Sequence, residues 1–309
     1  MTMVVTFDPT EEQKKMIESH FEVVYSREVR DAKIVLSWNA KREIENPGDL
    51  ENTRFLQLIS AGVDHVPISS IPENVIIASN AGAYADPMAE HALAMALAMA
   101  KKLSIRHDEL AMGIFDQTTA NDRIKNSKSA ILGFGGIGRA IGGLMRAMDS
   151  AIYAVNTSGK TDENVEFIGT LDDLDFVLKN ADFLFITLPL TRQTRGLLGK
   201  RELEIMKGNA KIINVARGEI MIERDLYDHL SKNRDFMAAI DAWWIEPLIH
   251  GEFRMNYPFT DLPNVIGSPH NSALVPGSLE IAINEACMNI KRFMKNEPVK
   301  GIVKRDDYE

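Results

Sequence analysis

The run Ser129-Ala130-Ile131-Leu132-Gly133-Phe134-Gly135-Gly136-Ile137-Gly138-Arg139 carries a GxGxxG spacing directly after an apolar, strand-like stretch. That spacing suits the binding of phosphate. Gly133 permits a tight turn, Gly135 lets backbone N–H groups approach a pyrophosphate, and Gly138 lets the following helix lie close on a sheet with its positive end toward the anion. Glycine triplets also occur in turns that only pack. Here, however, a helical segment, Arg139 to Met148, and a second strand-like run, Ala151 to Val155, follow in order. Gly133, Phe134, Gly135, Gly136, Ile137 and Gly138 are therefore candidate dinucleotide contacts. Past the second strand, where an NAD site carries Asp or Glu for the ribose hydroxyls, stands Asn156, followed by Thr157, Ser158, Gly159 and Lys160. Neutral donors and one cation, with no carboxylate to repel a 2′-phosphate, favour NADP. The alternatives are that Asp162 or Glu163 folds back to the ribose, or that NAD and NADP are both accepted.

Three later strand-to-loop junctions end in polar residues: Asn214 to Gly218, Asp241 to Leu248, and Gly267 to Asn271. Ligands of doubly wound folds bind outside the carboxyl ends of the strands, so Arg217, Glu246 and His270 can converge on the reactive end of a cofactor. Each also has a plain explanation taken singly: a surface ion pair, a turn residue before proline, a loop histidine with one hydrogen bond.

These positions need a scaffold, and the pattern of the chain provides one. Strand-like runs at Val4 to Phe7, Glu22 to Tyr25, Lys33 to Leu36, Phe55 to Ile59 and Asn74 to Ala78 alternate with helical or turn segments. The alternation resumes after the glycine turn at Phe183 to Thr187, Ala210 to Asn214, Met237 to Ile240 and Val265 to Gly267. It predicts an α/β protein with two doubly wound, mostly parallel sheets. The stretch Met88 to Ala100, with Asp86 as N-cap and Pro87 at the first helical position, reads as a buried helix whose Ala and Met content suits close packing. It falls short of the ~20 apolar residues that span a bilayer and contains Glu90 and His91. The polar segment Gln117 to Ser127 reads as an exposed connection between domains. A last helix, Ser278 to Lys295, is long enough to return to the first half, which makes the glycine-rich domain an insertion.

At 309 residues and 45% hydrophobic content, the chain can bury a large core in two domains. A net charge of −9 gives no electrostatic reason to bind nucleic acid or an anionic membrane. Any anionic ligand must be held by local cations. Cys287 is the single cysteine, so no intrachain disulfide forms and a reducing, cytoplasmic setting is expected. Residues 1–10 lack a cationic leader with a long apolar run and read as a first strand. His20, His65, His91, His107, His229 and His250 show no metal-ligand spacing, and no metal is expected.

Together the motifs resemble the D-isomer-specific 2-hydroxyacid dehydrogenases, including their glyoxylate/hydroxypyruvate reductase-like members, nearly from end to end. The resemblance is carried by the glycine turn, Leu188-Pro189-Leu190-Thr191 with Thr194, Asn214-Val215-Ala216-Arg217-Gly218, the Asp241 to Leu248 run and Ser268-Pro269-His270. In the first half, Ser60-Ala61-Gly62-Val63-Asp64, Asn80-Ala81-Gly82 and Ala89-Glu90-His91-Ala92 are similar to the family's substrate loop and interdomain helix.

The resemblance implies a flavodoxin-like substrate domain, residues 1–100 plus 272–309, split by a Rossmann-type cofactor domain at 101–271. It implies that Arg217 grips the carboxylate and carbonyl of a 2-oxo acid through its planar fork. His270 passes a proton to the carbonyl oxygen as hydride arrives, and Glu246 hydrogen-bonds the other ring nitrogen, favouring the charged ring. Backbone N–H groups at Ala61, Gly62 and Val63 complete the carboxylate clamp. Leu188, Pro189, Val215 and Ala216 line the cofactor, and Asp241 lies near the nicotinamide amide. A homodimer built through the helices near 86–112 is expected, with no added regulatory domain. Tyr84, Trp243 and Trp244 depart from the common pattern; the tryptophans either narrow the substrate pocket or serve packing. The leading expectation is NADP-preferring reduction of small 2-oxo acids such as glyoxylate, hydroxypyruvate or pyruvate. Formate or phosphite oxidation is a second enzymatic reading, and a nucleotide-sensing corepressor is a third of a different class.

Overall fold

Short runs of β-branched and aliphatic residues bounded by Gly, Pro and Asn become strands, and longer mixed runs become the helices between them. In the computed structural model, which describes residues 2–308, the chain starts with β1 (Met3–Val5), α1 (Glu11–Glu18), β2 (Val24–Tyr25), β3 (Ile34–Ser37), α2 (Ala40–Glu43), β4 (Phe55–Leu58) and β5 (Ile76–Ala78). Two helices follow, α3 (Ala85–Ala100) and α4 (Leu103–Ala111). Next come β6 (Lys128–Leu132), α5 (Gly136–Ala147), β7 (Ala151–Val155), β8 (Phe167–Gly169), α6 (Leu174–Asn180), β9 (Phe183–Ile186) and α7 (Lys200–Ile205). The chain continues with β10 (Lys211–Asn214), α8 (Glu223–Lys232), β11 (Met237–Ile240), α9 (Pro247–His250), β12 (Val265–Gly267) and α10 (Ser278–Met294).

The chain divides into two compact units, one running to Tyr84 and resuming at Leu274, the other Ala85–Ala273. The first holds a five-stranded sheet in the order β2-β1-β3-β4-β5, every neighbouring pair parallel. That is the flavodoxin-like order. One face packs Val4, Val35, Leu56 and Ile77 on Leu50 and Ile68. The other packs Leu36 and Phe55 on Ala282, Ile283, Ala286 and Cys287 of α10, and Phe55 stacks on Phe293 at 4.4 Å between ring centroids. The returning helix thus belongs to the first sheet.

The second unit is a seven-stranded parallel sheet in the order β12-β11-β10-β9-β6-β7-β8. Counted from β6 as its first strand, this is the Rossmann order 3-2-1-4-5-6 with a seventh strand added. Its strands β9, β10 and β11 are buried throughout, as a sheet covered by helices on both faces requires.

The sequence places the domain boundaries at 100/101 and 271/272; the compact units divide at 84/85 and 273/274. The reason is α3. Its Ala89, Ala92, Met95, Ala96 and Met99 are buried in one cluster with Ile141 and Met145 of α5 and Ile213 of β10. Small alanine side chains let the two helices approach closely, so α3 is a helix of the second unit. The polar segment 117–127 lies inside that unit as well, tied down by buried Ile124 and by Asp122, which pairs with Lys211 at 2.7 Å. The helix α3 begins at Ala85, so Asp86 and Pro87 sit in its first turn, where N–H groups have no intrahelical partner. Among the described residues, no helix is long and apolar enough to cross a membrane.

Phe183 is buried at the centre of the second sheet, between β6 and β10. Phe183→Ala is expected to cost about 3–5 kcal/mol of unfolding free energy. A fall in the urea midpoint at unchanged slope would show it.

Candidate active site

The glycine turn is shaped by close approaches. Gly133 has φ of +100°, and a Cβ there would stand 2.7 Å from the Thr187 carbonyl carbon. The Thr187 hydroxyl donates to the Gly133 carbonyl at 2.7 Å, so the end of β9 locks the turn after β6. A Cβ on Gly138 would run into the same Gly133 carbonyl, whereas at Gly135 nothing lies within 4 Å. The tight turn, the open approach and the close helix are all present, and α5 starts at Gly136 with its N-terminus at the open position. Phe134 is different: its side chain is buried and its N–H donates to the Val155 carbonyl, so it builds the turn. Gly136 and Ile137 form the first turn of α5.

Past β7, Asn156 Oδ1 accepts from the N–H groups of Ser158 and Gly159, and its side-chain amide donates to the Lys160 carbonyl. Asn156 therefore organises a loop that leaves Thr157, Ser158 and Lys160 exposed. Asp162 pairs with Arg139 at 2.7 Å and Glu163 with Arg146 at 3.3 Å. Leu188 and Pro189 follow β9, while Val215 and Ala216 are buried at the end of β10.

Arg217, Glu246 and His270 emerge from the carboxyl ends of β10, β11 and β12, which are neighbours in register: Asn214 pairs with Ile240, and Ile240 with Gly267. The buried Asn214 side chain accepts from Ala216 N–H and donates to the Arg217 carbonyl, folding the turn that carries the guanidinium. Arg217 Nη1 donates to the Ala216 carbonyl at 2.7 Å. A Cβ on Gly218 would stand 2.7 Å from Trp244 N, so this turn lies flush against the chain leading to Glu246.

Glu246 and His270 form a dyad. Glu246 Oε2 lies 2.7 Å from His270 Nδ1, and Oε1 accepts the Trp243 N–H at 2.6 Å. The carboxylate is 11% exposed and the imidazole 35%, so the pair is anchored inside while the ring reaches the surface of the unit. A carboxylate held on the protein side of an imidazole fixes its tautomer and leaves Nε2 for proton exchange.

His270 has φ of +51°, the left-handed region that a non-glycine residue enters at a cost. Asp241 is what holds it there. Its carbonyl accepts His270 N–H at 2.9 Å, and its carboxylate accepts the N–H groups of Asn271 (3.1 Å) and Ser272 (3.2 Å) and the hydroxyl of Ser268. Burial by itself would push this carboxyl up. The Ser268 hydroxyl, the loop N–H groups and neighbouring His270 outweigh it, and the group stands below its ordinary 3.8. Asp241 is fully buried, and its oxygens are engaged by the loop that carries His270.

Both tryptophans and Tyr84 donate hydrogen bonds to backbone carbonyls. The Trp243 indole donates to the Ser268 carbonyl and the Trp244 indole to the Met221 carbonyl, each at 2.8 Å, and Trp244 stacks on Phe259. In the first unit, Tyr84 donates to the Ile59 carbonyl at 3.0 Å, and burial pushes its phenol up to about 12. Ala61, Gly62 and Val63 lie in an irregular segment after β4, with the Val63 side chain in that unit's core. Sequence reasoning passed over Thr187 and Ser268 as structural donors and gave His91 no partner; His91 Nε2 lies 3.1 Å from Ser268 Oγ.

Residues 93–272 match the family described as D-isomer specific 2-hydroxyacid dehydrogenase, NAD binding domain. The chain belongs to this family. A glyoxylate/hydroxypyruvate reductase B from Pectobacterium atrosepticum is 31% identical over 70% of this chain and 68% of its own. A D-3-phosphoglycerate dehydrogenase from Methanocaldococcus jannaschii is 28% identical over 82% of this chain. This 2-hydroxyacid dehydrogenase family member spans about half the length of the curated phosphoglycerate dehydrogenases it matches. The crystal structure of a putative formate dehydrogenase from Pyrobaculum aerophilum superposes with a TM-score of 0.83 at 27% identity, covering 100% of both chains.

Because the Asp241 carboxyl stands lower folded than unfolded, its stabilising contribution is fully present above 3.8 and is lost as pH falls through the folded value. The stability gap between wild type and Asp241→Asn should therefore be level from about pH 5 to 8 and shrink only below about pH 4. Urea midpoints measured across that range check it.

Proposed function

We propose that the protein is an NAD(P)-dependent oxidoreductase that interconverts small 2-oxo acids and D-2-hydroxy acids, with NADP preferred. The His270–Glu246 dyad, set one strand away from Arg217 at the carboxyl edge of a Rossmann sheet, carries this reading. The nicotinamide cofactor supplies the hydride. Arg217 holds the substrate carboxylate with its planar fork. His270 Nε2 gives its proton to the carbonyl oxygen during reduction and recovers it during oxidation, while Glu246 keeps Nδ1–H pointed inward. One 2-oxo acid, one hydride and one proton thus become one 2-hydroxy acid.

NADP preference is supported by the neutral, exposed Thr157 and Ser158 and by the Lys160 cation, with Asp162 and Glu163 engaged by Arg139 and Arg146. Formate oxidation has some support from the name of a similar structure. It moves a hydride and releases carbon dioxide with no proton to transfer, so a histidine–carboxylate dyad favours the 2-oxo acid. A reducing compartment suits the single buried thiol, Cys287. A homodimer through the helices near 86–112 is supported by exposed apolar side chains on α4 (Leu103 and Leu110) and in the segment directly after it (Met112, Ile114 and Phe115, the last at 75%).

Incubating the protein with glyoxylate, hydroxypyruvate or pyruvate and either NADPH or NADH should consume nicotinamide absorbance, faster with NADPH. His270→Gln should lower kcat by about 10²- to 10⁴-fold. Arg217→Lys should act mainly on KM, by about 10- to 100-fold. Cofactor binding without turnover of any 2-oxo acid would instead favour a nucleotide sensor. In sedimentation at micromolar concentration the protein should run as a dimer and Phe115→Glu as a monomer; a monomeric wild type would refute the assembly.

A further inference from the structure

His91 lies on α3, outside the loops that carry the dyad, yet it is joined to them by hydrogen bonds of fixed direction. Its Nε2 is 3.1 Å from Ser268 Oγ, and Ser268 in turn donates to Asp241 Oδ1. A serine hydroxyl has one proton. Since that proton goes to a carboxylate, which only accepts, Ser268 must accept from His91, and the His91 ring must carry hydrogen on Nε2. The separation of 3.9 Å between Nε2 and Asp241 Oδ1 is too long for a direct hydrogen bond, so the hydroxyl is the link. Beyond Asp241 the chain of bonds reaches the N–H groups of His270, Asn271 and Ser272. It ends on the residue whose left-handed backbone needs outside support.

All of these groups lie in the second unit, and they sit at both of its ends. The helix α3 starts at Ala85, where the chain enters that unit, and the loop 268–272 closes one residue before Ala273, where it leaves. Linked hydrogen bonds ending on a buried charge polarise and order one another. A donor at position 91 therefore bears on the backbone of His270 although it is 179 positions away in sequence.

We infer that His91 is a positioning residue: through Ser268 and Asp241 it holds the His270 turn, and hence the imidazole, in the geometry that proton transfer requires. This rests on the reading of the protein as a 2-oxo acid reductase. The test compares His91→Leu, which keeps bulk without a donor, with His91→Gln, which keeps a terminal N–H. His91→Leu should lower kcat for the best 2-oxo acid by about tenfold, the equivalent of one hydrogen bond to a charged network. The substrate KM and the NADPH Kd from fluorescence titration should stay within about twofold, since uniform binding is untouched. His91→Gln should recover most of the loss. The double variant His91→Leu/Ser268→Ala should be no worse than the more damaging single one, because both break the same chain.

A readout independent of turnover accompanies these: backbone amides of 268–272 should exchange hydrogen faster in His91→Leu than in wild type. Wild-type protein inactive on every 2-oxo acid would defeat the reductase reading, and the exchange rates would still decide whether His91 orders the loop. Unchanged kcat and unchanged exchange in His91→Leu, or fully additive effects with Ser268→Ala, would overturn the positioning role.

Discussion

A single buried carboxylate organises the proposed active site. Asp241 is enclosed on all sides, and an ionised group in that position is tolerable only because its oxygens are met by a hydroxyl and two backbone N–H groups. Those donors belong to the loop after β12. The cost of enclosing the charge is therefore offset by the same bonds that force the loop into one conformation, including the left-handed turn at His270. Removing the carboxylate would free the loop to relax toward ordinary backbone angles, and the imidazole would leave Glu246. Stability and chemistry are linked here through one group.

The rest of the unit serves to bring its strand-end loops to one edge, including the loop after β12 that carries His270. Parallel strands all end on the same side, so the glycine turn after β6, Asn156 after β7, Thr187 after β9, Arg217 after β10 and Asp241 after β11 share that edge. Neighbouring loops then lock each other: Thr187 closes the Gly133 turn, and the Trp243–Trp244 backbone lies against Gly218. The glycine turn after β6 and the His270–Glu246 pair after β11 and β12 thus stand on one continuous sheet, with β9 and β10 between them.

Much of this was legible in the sequence where the signal is local. Nearly every strand was found because fully buried parallel strands are short apolar runs, and the three glycines fell into the roles their spacing foretold. Local signals failed at β8, whose Phe167-Ile168-Gly169 is too brief to stand out. They failed too at the domain boundary, because α3 is apolar around most of its circumference and nothing in its own residues says which sheet it covers. Trp243 and Trp244 read equally well as pocket wall or core, because the carbonyls that their indole N–H groups meet, Ser268 and Met221, are 25 and 23 residues away in sequence. The partner of His91 could not be read, since Ser268 is 177 residues away. The pairing of Glu246 with His270 came from strand-end logic and family resemblance together, not from spacing.

The lone thiol has a practical meaning. Cys287 is fully buried on α10 against the first sheet, and burial pushes it up to about 12. A thiol that is neither accessible nor ionised resists alkylating reagents and peroxide for as long as that helix stays docked. The rate at which a reagent reaches it therefore clocks the opening of the first unit, with one label per molecule and no engineered probe.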